Sequence, residues 1–230
     1  MSRRRVGGTL AGMGETLGQV VSVNVGMPRT VEWYGRQVST AIWKSPVDGP
    51  VELGAERLAG DDSADLRVHG GPDKAVYAYS VEDYRWWAGA VPGTEFSHAL
   101  FGENLTTEGI VLSEAVLGER WQIGSTVLEV AQPRFPCFKL GIRMGDAGFV
   151  DRFDEAGRSG AYFRIVQPGR LQAGDEVVRV SRPDHGVRIA DIVASKDGGT
   201  AELLERILAL DVVTDNMRSL AVRGLAKLRS

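Results

Sequence analysis

Residues 120–140 read RWQIGSTVLEVAQPRFPCFKL, and they decide which kind of fold to expect. The first half is rich in Val, Ile and Leu and is interrupted at Gly124, which predicts a strand pair or one bent strand. In the second half two prolines with fixed φ angles stand on either side of Cys137. We therefore expect a β-rich fold that presents its cysteine on a stiff loop.

Short apolar runs of the same kind lie on both sides of this segment, bounded by Gly and Pro turn signals. We predict strands over residues 19–25, 38–43, 49–53, 75–79, 161–166 and 176–180. Ser80, followed by Asp83 three residues later, approximates a capping box and predicts a helix with Tyr84, Trp87 and Ala88 on one face. A second short helix is predicted over residues 149–156.

The pattern changes after Pro183, where helical periodicity replaces strand alternation. We predict three helices over residues 187–194, 201–210 and 216–228, with Thr200 and Thr214 as N-caps. The last of them places Met217, Leu220, Ala221, Leu225 and Leu228 on one face. The predicted fold class is mainly β with α, divided into an extension (1–17), a β domain (18–182) and a three-helix domain (183–230).

Composition narrows the function classes. The 230 residues contain 27 Lys+Arg against 30 Asp+Glu, a net charge of −3, which argues against a dedicated nucleic-acid binder. No stretch approaches the ~20 apolar residues of a membrane helix. The Arg3–Arg5 run is not followed by the ~7–15 apolar residues of a signal peptide, so a flexible leader and a cytoplasmic protein with no membrane partner are expected.

Cys137 is the single cysteine, and the chain has three histidines. This count excludes an intramolecular disulfide framework and a zinc site built from several cysteines. Arg134 and Lys139 lie close to Cys137 in sequence, and neighbouring cations favour thiolate, a nucleophile and a soft metal ligand. The same cations could bind phosphate. The alternative is a buried cysteine that acts as a small hydrophobe.

Residues 68–77, VHGGPDKAVY, form a second candidate segment. A glycine pair lets the backbone approach a ligand and leaves N–H groups free for an anion, and His69 and Lys74 could add charge. No Walker-type Gly-Lys-Ser/Thr is present, so a nucleotide loop is not supported. The alternative is a tight turn with a solvated lysine.

Three weaker segments follow the same logic. Glu103 could be a general acid or base and Asn104 a hydrogen-bonding clamp, although a surface turn is the simpler interpretation. Lys44 ends a predicted strand, where a solvated lysine is usual. Residues 60–65, GDDSAD, could bind a cation, but their spacing is not that of an EF-hand and a polar loop is favoured.

Together the segments around Lys44, Gly60-Asp61, residues 69–77, 102–105 and 132–140 resemble the MOSC domain family (molybdenum cofactor sulfurase C-terminal domain). Their order and spacing resemble its bacterial YiiM-like branch, known for resistance to N-hydroxylated base analogues, and the helical tail resembles that branch's three-helix extension. The sequence departs from the branch in its Gly/Arg-rich leader and at Ser80, where a proline often stands.

The resemblance implies a β-barrel with flanking helices and a molybdenum cofactor, a pyranopterin dithiolene that carries Mo. It implies that Cys137 ligates Mo and is the catalytic residue. The cofactor's phosphate would be attracted by local cations, because the whole chain is negative. The implied cofactor-binding residues are Lys44, His69, Lys74, Asn104 and Arg134.

Relatives in this family, including the mitochondrial amidoxime-reducing component, reduce N-hydroxylated compounds. The resemblance thus implies a molybdenum-dependent oxidoreductase that receives electrons from an external, flavin-dependent reductase, since the chain has no dinucleotide fingerprint or cysteine cluster. Two alternatives stay open: a cofactor carrier or sulfur relay with a persulfide on Cys137, and a cysteine hydrolase using Cys137, His69 and Asn104. The helical tail could pack on the barrel, dock the electron donor or form a homodimer.

Overall fold

A computed structural model describes residues 14–62, 70–196 and 198–229. Its strands are β1 (Glu15–Val25), β2 (Arg29–Trp33), β3 (Arg36–Thr40), β4 (Ser45–Pro46), β5 (Val51–Leu53), β6 (Val76–Ser80), β7 (Leu105–Glu108), β8 (Arg120–Ile123), β9 (Thr126–Pro133), β10 (Ala161–Gln167), β11 (Gly169–Leu171) and β12 (Glu176–Ser181). Its α-helices are α1 (Val81–Ala90), α2 (Phe138–Met144), α3 (Phe149–Glu155), α4 (Ile189–Ser195), α5 (Ala201–Leu208) and α6 (Asp215–Leu228).

Seven strands close into a barrel, which confirms the predicted fold class. The order is β12-β8-β9-β10-β6-β7-β1, and β1 pairs back onto β12. All neighbours are antiparallel except β6 and β7. Irregularities in the register of β1 mark the bend that lets one 11-residue strand pair with both β7 and β12. Gly18 lies at this bend. Only glycine fits there, because a Cβ atom at this position would come within 2.2 Å of the Glu108 carbonyl oxygen.

The predicted strand pair is confirmed as β8 and β9, and the barrel interior is apolar. Trp121 on β8 packs against Phe163 on β10 with ring centroids 4.9 Å apart. Helices α5 and α6 contribute to the same hydrophobic core through Leu204, Ile207 and Met217. The tail and the barrel thus share one core.

Aromatic side chains build a second core where α1 and α3 cover the barrel. Trp87 stacks on Phe153 with centroids 5.9 Å apart, and its Nε1–H donates to the Tyr79 hydroxyl at 2.8 Å. The predicted cap is confirmed, since Ser80 Oγ accepts from the Asp83 N–H. Ala88, which we predicted on the buried face, is exposed.

Several boundaries differ from the sequence prediction. Strand β1 begins at Glu15, so residues 15–17 belong to the barrel, while residues 1–13 lie outside the described part. Strand β3 covers Arg36–Thr40 where a strand over residues 38–43 was predicted, whereas β2 and α2 were not predicted. Leu228 is exposed although it was assigned to the buried face of α6. Within the described residues no helix has the length and apolar character needed to cross a membrane.

The predicted caps Thr200 and Thr214 are confirmed, and they offer a matched test of how α6 is held. Each hydroxyl accepts a backbone N–H at the start of its helix. Thr214 also donates to Gln132 Oε1 on β9 at 2.8 Å, and both residues are buried. An unpaired buried acceptor costs about 1–3 kcal/mol beyond the loss of a cap of about 1 kcal/mol.

Thr214→Ala is therefore expected to lower the free energy of unfolding by about 1–3 kcal/mol more than Thr200→Ala does. Urea denaturation followed by circular dichroism measures both values. Equal losses in the two variants would contradict an anchoring role for the Thr214–Gln132 hydrogen bond.

Candidate functional site

A cleft of about 590 Å³ opens beside the barrel, and we call it the cysteine cleft. It gathers segments that are distant in sequence: the chain after β3, the Asp61 loop, the 3-10 turn Pro72–Lys74, the chain before β7 and the loop between β9 and α2. Five of the predicted site residues line it, namely Lys44, Lys74, Asn104, Arg134 and Cys137. His69 lies outside the described residues; its neighbour Gly70 lines the cleft.

Cys137 stands immediately before α2 in an extended conformation, and its carbonyl oxygen accepts the Leu140 N–H at 2.8 Å. It is only partly buried and lines the cleft. The alternative of a buried cysteine that acts as a small hydrophobe is therefore wrong. Electrostatic interaction with Cys137 acts on the pKa of both Lys74 and Arg134, so the sulfur lies in a cationic setting.

Arg134 is buried in the wall of the cleft. Its guanidinium carbon lies 4.9 Å from the ring centroid of Tyr77 and 5.5 Å from that of Phe153. Burial works to lower the pKa of Arg134, but Tyr77, Tyr162 and Cys137 outweigh it and raise that pKa. Its Nη1 has no hydrogen-bond partner among the described residues. A buried cation with an unused donor is suited to an anionic ligand.

Lys44 forms a nearly buried ion pair with Asp61; their side chains are 9% and 10% exposed. The expectation of a solvated lysine is therefore wrong. Burial lowers the pKa of Lys44, and Asp61 opposes that shift. Asn104 Nδ2 donates to the other Asp61 oxygen at 2.8 Å. The Gly26 N–H donates to Asp61 Oδ1 at 2.9 Å, so this carboxylate joins three separate parts of the chain.

Asp61 is the residue that our sequence analysis missed. The polar-loop interpretation of residues 60–65 treated its carboxylate as solvated, and nothing in the spacing links it to Lys44. Gly26 makes the approach feasible, because a Cβ atom there would come within 2.4 Å of the Trp43 carbonyl oxygen. A glycine directly after the strand β1 was the available signal.

Asn104 and Glu103 are buried, so the surface-turn alternative is wrong for both. Asn104 Oδ1 accepts the Tyr77 N–H at 3.1 Å, and its Nδ2 also donates to the Asn24 carbonyl at 3.3 Å. Asn104 thus bridges β6, the end of β1 and the Asp61 loop.

Glu103 is not among the residues that line the cleft. Its carboxylate accepts from the Tyr84 hydroxyl at 2.8 Å, the Ala99 N–H at 2.6 Å and the Thr106 hydroxyl at 3.0 Å. Burial raises the pKa of Glu103. Ala99 has φ of 66°, so the carboxylate holds a strained turn that leads to the cleft residue Phe101. This arrangement supports a structural role.

Lys74 ends the 3-10 turn and is half-buried beside the cleft. Burial lowers its pKa, opposed by Asp73 and Cys137. Tyr162 lines the same wall, and burial raises its pKa, so its hydroxyl stays neutral and can donate a hydrogen bond. The cleft therefore combines cations, neutral hydroxyls and one thiol around a space of cofactor size.

Comparison with known proteins identifies the family. The family model of the MOSC domain matches residues 65–178. The protein YflK of Bacillus subtilis (strain 168) is 35% identical over 202 residues, which cover 87% of this chain and 91% of YflK. Protein YiiM of Escherichia coli (strain K12) is 34% identical over 66% of this chain and 69% of its own length.

A protein named reductase from Gibberella moniliformis is 33% identical over 65% of this chain, which corresponds to 27% of that longer protein. Among solved structures, YiiM from Geobacillus stearothermophilus superposes with a TM-score of 0.75 at 31% identity, covering 90% of this chain and 98% of that one. The sequence matches and the shared barrel agree, and this chain belongs to the MOSC domain family as a YiiM-like protein.

Proposed function

We propose that this protein reduces N-hydroxylated compounds, such as N-hydroxylated bases and amidoximes, in the cytoplasm with a molybdenum cofactor bound in the cysteine cleft. Electrons would come from an external, flavin-dependent reductase. The observation that carries the proposal is that Cys137 lines a cleft whose wall holds the buried Nη1 of Arg134, an atom with no hydrogen-bond partner in the described part of the chain. The relative named reductase supports redox chemistry.

The residues present fit such a cofactor. Cys137 would supply the thiolate ligand to Mo, a role suited to a soft donor on a stiff loop. Arg134 would pair with an anionic group of the cofactor, and Lys44 and Lys74 lie in the same cleft. When bound, the cofactor supplies the two-electron reduction in which an N–OH compound takes up two protons and leaves as N–H and water.

The protein's own residues position and polarise the molecule that is bound in the cleft. The rings of Tyr77 and Phe153 hold Arg134 in one orientation. The ion pair with Asp61 does the same for Lys44. These fixed charges create a local positive field in a chain of net charge −3. The neutral Tyr162 hydroxyl offers a hydrogen bond to an oxygen in the cleft. Preorganised donors of this kind stabilise developing charge without reorganisation.

A carrier or sulfur-relay protein is the second candidate, favoured by the partial exposure of Cys137. It would hold a persulfide on Cys137 in place of a metal bond. Mass spectrometry separates the two functions, since a persulfide adds about 32 Da to Cys137 in protein that contains no Mo.

Cys137→Ala and Cys137→Ser are expected to lower benzamidoxime reduction, driven by dithionite-reduced methyl viologen, by at least about 100-fold, because the metal loses its thiolate ligand. Mo content by mass spectrometry should fall with activity, and the melting temperature should stay near that of the unmodified protein.

Phe138→Ala is the matched control, because Phe138 is the next residue and is exposed. It should keep Mo and activity. Full activity in Cys137→Ala would overturn the proposed function.

Asp61→Asn is expected to leave the nearly buried Lys44 ammonium without its counter-charge. Removing one partner of a buried ion pair costs about 3–5 kcal/mol. We therefore expect the free energy of unfolding to fall by an amount of that order and the Mo content to fall with it. The double variant Lys44→Met/Asp61→Asn should recover part of the stability in urea denaturation without recovering Mo.

Glu52→Gln serves as the control, since Glu52 pairs with Arg170 where the two side chains are 68% and 72% exposed. The free energy of unfolding should fall by less than about 1 kcal/mol in this variant. If Asp61→Asn is no more destabilising than Glu52→Gln, the central position assigned to Asp61 is wrong.

A further inference from the structure

Two guanidinium groups converge on one indole ring beside the cysteine cleft. The guanidinium carbon of Arg29, on β2, lies 3.7 Å from the ring centroid of Trp43. That of Arg143, on α2, lies 5.7 Å from the same centroid. The Arg143 Nε–H donates to the Leu100 carbonyl oxygen at 3.2 Å, which fixes the direction of its side chain. We call this group the Trp43 arginine pair.

The part of the chain that the structure describes gives this pair no counter-ion of its own. Among residues 14–62, 70–196 and 198–229, no carboxylate lies within ion-pair distance of Arg29 or Arg143. Lys139 on α2 likewise has no ion pair there. Many other arginines of the chain do pair with a carboxylate; examples are Arg85, Arg120, Arg158, Arg164, Arg179 and Arg188.

Unpaired like charges at one place carry a cost that an anion would remove. Burial lowers the pKa of Arg143, and the charge of Arg29 lowers it further. The carboxylate of Glu103 acts on Arg143 in the opposite direction, but its oxygens already accept from Tyr84, Ala99 and Thr106. The field at the pair is therefore positive and available to a ligand from outside.

The pair is not among the residues that line the cleft, but its neighbours in the chain are. Trp43 lies between Ile42 and Lys44, and both of those line the cleft. Lys139 also lines it, and it lies four residues before Arg143 on the same face of α2, about 6 Å along the helix axis. A ligand in the cleft could thus extend past Lys139 to the two guanidiniums.

We propose that the Trp43 arginine pair, with Lys139, is a binding site for a phosphate monoester attached to a molecule held in the cysteine cleft. Two guanidiniums match a phosphate dianion, which accepts paired N–H donors from each. One source of this phosphate is a nucleotide substrate, in which the N-hydroxylated base carries its sugar phosphate. This source rests on the proposed function. The phosphate of the cofactor itself is the other source of the same chemistry.

Steady-state kinetics with N6-hydroxyadenosine 5′-monophosphate and with N6-hydroxyadenosine identify the source. We expect the phosphate to lower KM about tenfold, which corresponds to about 1.4 kcal/mol, and this advantage to disappear in Arg29→Gln and Arg143→Gln. KM for the nucleoside should change less than about twofold. Arg29 is exposed, so Arg29→Gln tests the site without threatening the fold.

Arg223→Gln is the control, because it removes the same charge from an exposed position on α6. Mo and pterin content are measured in parallel to identify the other source. If both arginine variants lose cofactor, and the ratio of KM for the nucleoside to KM for the nucleotide is near one, the site holds the phosphate of the cofactor. Either result supports a phosphate site.

Calorimetric titration with adenosine 5′-monophosphate and with adenosine gives a result that does not depend on turnover. A protein that reduces neither hydroxylated compound would refute the proposed function, while loss of monophosphate binding in the arginine variants would still support the phosphate site. Arginine variants that match Arg223→Gln in KM ratio, cofactor content and monophosphate binding would overturn the inference.

Discussion

The barrel and the cleft depend on one buried amide, the side chain of Asn104. Its oxygen accepts the Tyr77 N–H on β6, and its nitrogen donates to the Asn24 carbonyl on β1 and to the Asp61 carboxylate. A buried polar group without a partner costs about 1–3 kcal/mol, so this side chain admits only arrangements in which all three elements meet. Asp61 in turn fixes Lys44. Closure of the barrel and construction of the cleft wall are thus one requirement.

Much of the fold was predictable because it depends on local signals. Alternating apolar residues predicted the strand pair β8 and β9, and Thr200 and Thr214 predicted the starts of α5 and α6. These features involve residues a few positions apart. Strand β2 was missed because its mostly exposed residues carry little apolar alternation. Helix α2 was missed because Pro136 and Cys137 indicated a loop, and the observed loop ends where the helix begins at Phe138.

The residues of the candidate site were predictable, but the contacts between them were not. The resemblance to the MOSC family singled out Cys137, Lys44 and Asn104, and the structure places them around one cleft. The Asp61–Asn104 hydrogen bond spans 43 residues of sequence, and no local pattern encodes such a distance. Lys44 was expected in solvent for the same reason, since burial is decided by what the rest of the chain places around a residue.

Arg134 shows why the aromatic core and the cleft are coupled. Tyr77 and Phe153 both belong to the aromatic core, so the two rings that hold the guanidinium are fixed by packing that does not involve a ligand. The energy that orients this cation is therefore supplied when the protein folds. An anionic group that enters the cleft meets a donor already in place, and binding does not have to order it. A chain of net charge −3 can in this way keep a local positive field without a large basic surface.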